Sequence, residues 1–233
     1  MPERSYGQFC PVAMAAEILA TRWTIVLLRE LLAGSTRFNE LRRGVPRMSP
    51  ALLSQRLKEL EEAGVVERVP VAKEPGVSEY VLTAAGRELK PIVEAFGCWG
   101  QRWVSSKLSL QQPDVNLLMW DMRRGLKREP MPQRRCIMQF QFSGEPAATR
   151  NWWIVATPGE PAELCCVDPG HDVDLYIATD VRTMAAIWMG HDIVRDARDA
   201  GRLMLTGPDR LVAQFQSWLG LSPFATVERP LAA

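Results

Sequence analysis

The sequence predicts two domains of different class: a mainly α-helical domain over residues 1–108, and an α+β domain over 113–233 whose mostly antiparallel sheet is covered by helices. Two observations carry this. Up to about Lys107 the apolar residues recur every three or four positions, whereas beyond Asp114 short runs alternate with period two. Between the two patterns lies Ser109-Leu110-Gln111-Gln112-Pro113-Asp114, polar and proline-marked, where the boundary is expected.

The elements of the first half follow in order. A helix is expected around Val12–Leu19 and a stronger one at Thr21–Ala33, with Thr21 as its cap, Gly34 as its stop, and Ile25, Leu28, Leu31 and Leu32 as its buried stripe. A short helix at Arg37–Arg43 turns Phe38 and Leu41 inward. Ser49 then caps a helix running to Ala63, with Pro50 at the first helical position, where a missing N–H costs nothing. Leu53, Leu57 and Leu60 make its inner face, so Ala51, Ser54, Gln55 and Lys58 point outward with Arg56 on the flank. Val65–Val71 and Val77–Thr83 form a hairpin around the turn Ala72–Gly76. A last helix is expected from Thr83 to about Lys107, kinked near Pro91.

Composition narrows the function class. With 233 residues, 47% hydrophobic and 24% charged, the chain can bury real cores, and disorder is excluded as its main state. No run of eighteen uncharged apolar residues predicts a membrane span, and the N-terminal stretch, with Glu3 and Glu17, does not read as a signal peptide. Five cysteines (Cys10, Cys98, Cys136, Cys165, Cys166) form no C-x-x-C pair and leave one over, which points to a reducing, cytoplasmic location. Net charge is only +1, but it is unevenly placed: Arg22–Lys58 carries eight basic residues against two acidic ones, while residues 113–233 carry 13 against 15. A basic segment of this kind faces either water or a polyanion.

The order helix, short helix, capped helix and basic-tipped hairpin suits a reader of double-stranded DNA. A helix fits the major groove, where hydroxyl, amide and guanidinium groups can meet base edges. The expected DNA-binding residues are Arg37, Asn39, Arg47, Ser49, Ala51, Ser54, Gln55, Arg56, Lys58 and, at the hairpin tip, Lys73.

Cys10-Pro11-Val12, Arg22-Trp23-Thr24, Arg37-Phe38-Asn39-Glu40-Leu41, Ser49 to Leu60 followed by Glu61, and Glu79-Tyr80-Val81-Leu82-Thr83 with Gly86 together resemble the HxlR-type (MarR-like) bacterial transcription regulators. The resemblance covers about residues 8–105. It implies a mainly α winged helix-turn-helix domain, a homodimer built through the first and last helices, and a partly palindromic operator. Phe9, Phe96, Trp99 and Trp103 fit dimer contacts under that reading. The resemblance also raises a redox role for Cys10, although its neighbours Phe9 and Pro11 supply no charge to favour a thiolate.

In the second half, residues 114–128 read as an amphipathic helix. Strands are expected at Arg135–Phe142, Asn151–Ala156, Glu163–Val167, Asp172–Ala178 and Arg202–Thr206. Met138, Phe140 and Phe142 should share one face, as should Val173, Leu175 and Ile177. Asp180 caps a helix to Gly190, and further helices lie at Ile193–Ala200 and Asp209–Leu219. Catalysis finds little support: two histidines (His171, His191) lack partners for a metal site or a triad, and no phosphate-cradling glycine motif occurs. The expectation is no enzyme, no metal and no cofactor.

Five of the eight tryptophans follow the boundary. Asp174-Leu175-Tyr176-Ile177 with Thr179-Asp180, the helix reaching Trp188-Met189-Gly190, and Gly201-Arg202 with Leu205 and Gly207 resemble the sterol-carrier-protein-like domain, loosely and over about residues 112–225. That likeness implies a pocket for an apolar small molecule, with Trp120, Met138, Phe140, Trp152, Met184, Trp188 and Phe215 as expected ligand-binding residues. The alternative is a second domain that serves only dimerisation or protein docking.

Overall fold

The structure, a computed structural model, describes residues 5–105 and 110–229. The chain divides into two compact units, Met1–Gly97 and Cys98–Ala233. That division precedes the expected boundary near 109–114, and residues 106–109 lie outside the described residues.

In the first unit, α1 (Pro11–Leu19), α2 (Thr24–Leu32), α3 (Phe38–Gly44) and α4 (Pro50–Glu62) precede an antiparallel hairpin, β1 (Val66–Pro70) and β2 (Ser78–Leu82), and then α5 (Ala84–Glu88). The core joins Leu27, Leu28 and Leu31 of α2 to Leu41, Leu53, Leu57 and Leu60, with Val65, Val66 and Leu82 from the hairpin. Three expectations are corrected here. Thr21 does not cap α2; the cap position is Trp23, held at φ 80, and Thr21 bonds Thr24 through its hydroxyl instead. The stripe of α2 centres on Leu27 and Leu28, with Ile25 and Leu32 only half-buried. The helix expected from Thr83 to Lys107 is broken at Leu89, giving α5 and α6 (Lys90–Trp103), because Pro91 has no N–H to offer the Arg87 carbonyl. Thr83 does start α5, its hydroxyl accepting from Gly86 N at 3.1 Å.

The second unit contains α7 (Val115–Gly125), β3 (Cys136–Ser143), α8 (Ala147–Arg150), β4 (Asn151–Ala156), β5 (Glu163–Cys165), β6 (Leu175–Asp180), α9 (Val181–Trp188), α10 (Val194–Asp199), β7 (Leu203–Thr206) and α11 (Asp209–Leu219). The sheet order is β5-β4-β3-β6-β7, antiparallel except for β3 against β6. Helices cover one face, where Met138, Phe140, Phe142, Trp152, Ile154, Leu175 and Ile177 meet Met119, Met122, Met184, Phe215 and Trp218. Ile137, Trp153 and Val155 form a smaller cluster on the opposite face. Asp114 and Asp180 cap α7 and α9.

Val173 is the misassigned position: it packs with the smaller cluster, not with Leu175 and Ile177. The chain joins the sheet only at Asp174, whose N–H donates to Ile137 O at 2.8 Å and whose carboxylate accepts from Ile137 N and from Arg134. Residues ahead of it therefore do not follow the pleat. Among the described residues, no single helix is long and apolar enough to cross a membrane.

Candidate nucleic-acid interface

The interface is organised by α4. Ser49 Oγ accepts from Leu52 N at 3.3 Å, and Pro50 occupies the first turn, so the helix starts where its capping chemistry directs. Leu53, Leu57 and Leu60 are fully buried behind it. Ser49, Ala51, Ser54, Gln55 and Lys58 are exposed, a row of small and polar groups along the opposite face. Gln55 donates to Glu59 at 3.0 Å and Lys58 lies 3.6 Å from Glu62. Both contacts are solvated and exchangeable for a base or phosphate contact.

Between α2 and α3, one buried carboxylate fixes the packing. Glu30 is wholly inaccessible. It accepts from Ser35 Oγ at 2.6 Å and from Arg29 Nη2 at 3.0 Å, while Arg29 also donates to Gly44 O. Gly44 is glycine because a Cβ there would fall 2.0 Å from Glu30 Cδ.

Arg37 holds a different place from the freely reaching phosphate contact its sequence position suggests. It precedes α3, where Glu40 accepts from both Thr36 N and Arg37 N. Its guanidinium grips Glu74 in the hairpin turn bidentately, at 2.6 and 3.0 Å, and reaches Glu79 at 3.3 Å. These hydrogen bonds, the one to Glu74 foremost, raise the Arg37 pKa, and the reciprocal bond holds the Glu74 carboxyl below its ordinary value. A carboxyl depressed in this way keeps its tether intact above the usual carboxylate range and loses it only as pH falls through the lowered value, so the wing stays tied at neutral pH. Arg37→Ala is expected to speed amide exchange over residues 72–78 and to weaken DNA binding a few-fold. Unchanged exchange would show that the tether does not order the wing.

Arg56 is also engaged: its side chain is mostly covered, donating to Arg22 O at 3.2 Å and pairing with Glu59. Asn39, Arg47 and Lys73 are exposed, Lys73 at the tip of the hairpin turn. Sequence reasoning missed Arg68, which lies exposed on β1 and, with Asn39 and Arg43, lines an open cleft of about 750 Å³ between α3 and the wing. The signal was available only in part, since Arg68 is a basic residue in the first strand of the hairpin, but basic residues were sought at the hairpin tip instead.

Outside this surface, Phe9, Phe96, Trp99 and Trp103 are all exposed, Phe9 almost completely. Cys10 is exposed at the start of α1, whereas burial pushes the Cys136 thiol up to about 11. The seven residues expected to bind a ligand (Trp120, Met138, Phe140, Trp152, Met184, Trp188 and Phe215) are all buried: Trp120 in α7, the other six in the helix-covered core of the second unit.

Comparison with known proteins places the first part of the chain. The HxlR-like helix-turn-helix family matches residues 18–108. The HTH-type transcriptional regulator YvaP of Bacillus subtilis (strain 168) is 40% identical over 99 residues, which is 42% of this chain and 92% of that protein. YdeP of the same organism is 36% identical over 94 residues, 40% of this chain and 73% of that protein. Among solved structures, the reduced form of the transcriptional regulator YodB from B. subtilis is 30% identical, covers 42% of this chain and 97% of its own, and gives a TM-score of 0.37. These relatives are named as regulators rather than enzymes. With its capped, leucine-backed helix and hairpin wing, the chain belongs to the HxlR-like helix-turn-helix family of transcriptional regulators.

Proposed function

We propose that the protein is a cytoplasmic, homodimeric regulator that reads a double-stranded operator through α4 and the wing, and whose second unit binds an apolar small molecule that alters operator affinity. The observation that carries the DNA reading is the exposed row Ser49, Ala51, Ser54, Gln55 and Lys58 on a helix whose other face is fully buried. Such a helix has no packing use for its outer face. It offers hydroxyl, amide and ammonium groups to base edges and phosphates, with Arg47, Arg68 and Lys73 on either side. Dimerisation is supported by the exposed aromatics of α6 and by α1, which buries none of its own residues.

The sensing reading rests on the core of the second unit, where Met119, Met122, Met131, Met138 and Met184 share one cluster with Trp152, Trp188 and Trp218. Thioethers adapt their shape to an incoming apolar body more readily than branched side chains do. For the ligand to act on the operator, it must bind the DNA-competent and incompetent states with different affinity.

A salt titration tests the DNA reading. About three phosphate contacts per subunit give a dimer a log–log slope of affinity against salt of roughly −5. A slope near zero in gel-shift assays would remove the polyanion from the proposal.

A further inference from the structure

Away from the methionine-rich core, the second unit has an open cleft of about 650 Å³ bounded by α10, β7 and α11. That volume falls within the roughly 300–1,000 Å³ of small-molecule sites. Its apolar side is made by Leu205 and Val212, both half-buried and backed by the core, with Ile193 exposed at the edge.

The polar side is rich in donors. Gln216 Oε1 accepts from Val194 N at 2.9 Å, which fixes the orientation of the amide and leaves its Nε2 as a donor without an acceptor among the described residues. The Arg198 guanidinium likewise has no acceptor among the described residues, and Arg195 holds only its neighbour Asp196, at 3.2 Å in an exposed pair. Asp199 is the single acid in the lining.

We propose that this cleft binds a small amphipathic monoanion, an aliphatic or aryl carboxylate, with its apolar body on Leu205 and Val212 and its carboxylate on Arg198. A neutral apolar guest would cover these donors without satisfying them, which costs binding energy. A cation would meet two arginines, and a polyanion would meet Asp199 with too few donors to compensate. The inference rests on the ligand-sensing role proposed for the second unit and adds to the apolar core a second, separate site with its own ligand class.

Titration calorimetry on the full chain, with octanoate, octan-1-ol and octylammonium as probes, tests it. Octanoate is expected to bind about tenfold more tightly than octan-1-ol, as a charge-assisted contact adds to a shared apolar one, with octylammonium weakest. Arg198→Gln should abolish the preference and leave octan-1-ol unchanged. Ala213→Trp, at an exposed position of the lining, should remove both while thermal unfolding stays unaltered. Equal binding of octanoate and octan-1-ol, a preference that survives Arg198→Gln, or binding untouched by Ala213→Trp each overturns the proposal. In the last case an apolar sensing core still stands, whereas failure of every probe to bind removes that reading as well.

Discussion

Glutamate at both Phe96 and Trp99 is expected to dissociate the proposed dimer into monomers and to weaken operator binding by about 10²–10⁴-fold. On α6, Ile92, Phe96, Trp99 and Trp103 follow at intervals of four, three and four residues, so they share one helical face. That face is open: Phe96, Trp99 and Trp103 are each about 60% exposed. Val93, about 100° around the helix from Ile92, is buried in the core of the first unit instead. Covering such rings is worth about 2 kcal/mol apiece, and a solitary chain gains none of it. Two winged helices held together bind a two-half-site operator with an effective local concentration that separate subunits lack, which sets the size of the expected loss. Sedimentation equilibrium and gel shifts on the same preparations check the two parts. A double variant that remains dimeric would place the interface elsewhere.

Gly44→Ala is expected to destabilise the winged-helix unit by about 3 kcal/mol or more. The new Cβ would lie 2.0 Å from Glu30 Cδ, inside a site with no solvent access. Overfilling a packed site costs about 1–3 kcal/mol by itself. Here the displaced group is a carboxylate whose partners are Ser35 and Arg29, and a buried charge parted from its partners costs about 3–5 kcal/mol. Calorimetry should show the transition of this unit moving down by roughly 15 °C. Glu30→Gln, which keeps the shape and the Ser35 bond, should lose less. Equal melting of Gly44→Ala and the parent would mean that Glu30 is free to move, contrary to its packing.

Much of this architecture is legible in the chain because its signals are local. The Ser49-Pro50 start of α4 and its leucines at i, i+4 and i+7 lie within a dozen residues and act through short-range capping and helical periodicity. The strand β3 is equally plain, since Met138, Phe140 and Phe142 alternate with Gln139 and Gln141. What sequence reasoning could not reach depends on partners distant along the chain. Arg37 looked like a free basic residue because Glu74 is 37 positions away, across a hairpin whose register is set by pairing. Arg56 is turned inward by a carbonyl at Arg22, 34 positions earlier. Val173 followed the right period but lay one residue before the point where Asp174 ties the chain to the sheet. The cleft beside α11 could not be foreseen either, since its walls come from three elements joined only by the fold.

The central claim is that the outer face of α4 enters the major groove. Benzoylphenylalanine placed at Gln55 would report it directly, with the same photoreactive residue at Gln139 of β3 as a control. The account predicts light-dependent crosslinks from position 55 to bases of operator DNA selected from a random pool, and none from position 139. Crosslinks from position 55 to protein alone, with DNA bound and protected elsewhere, would contradict it.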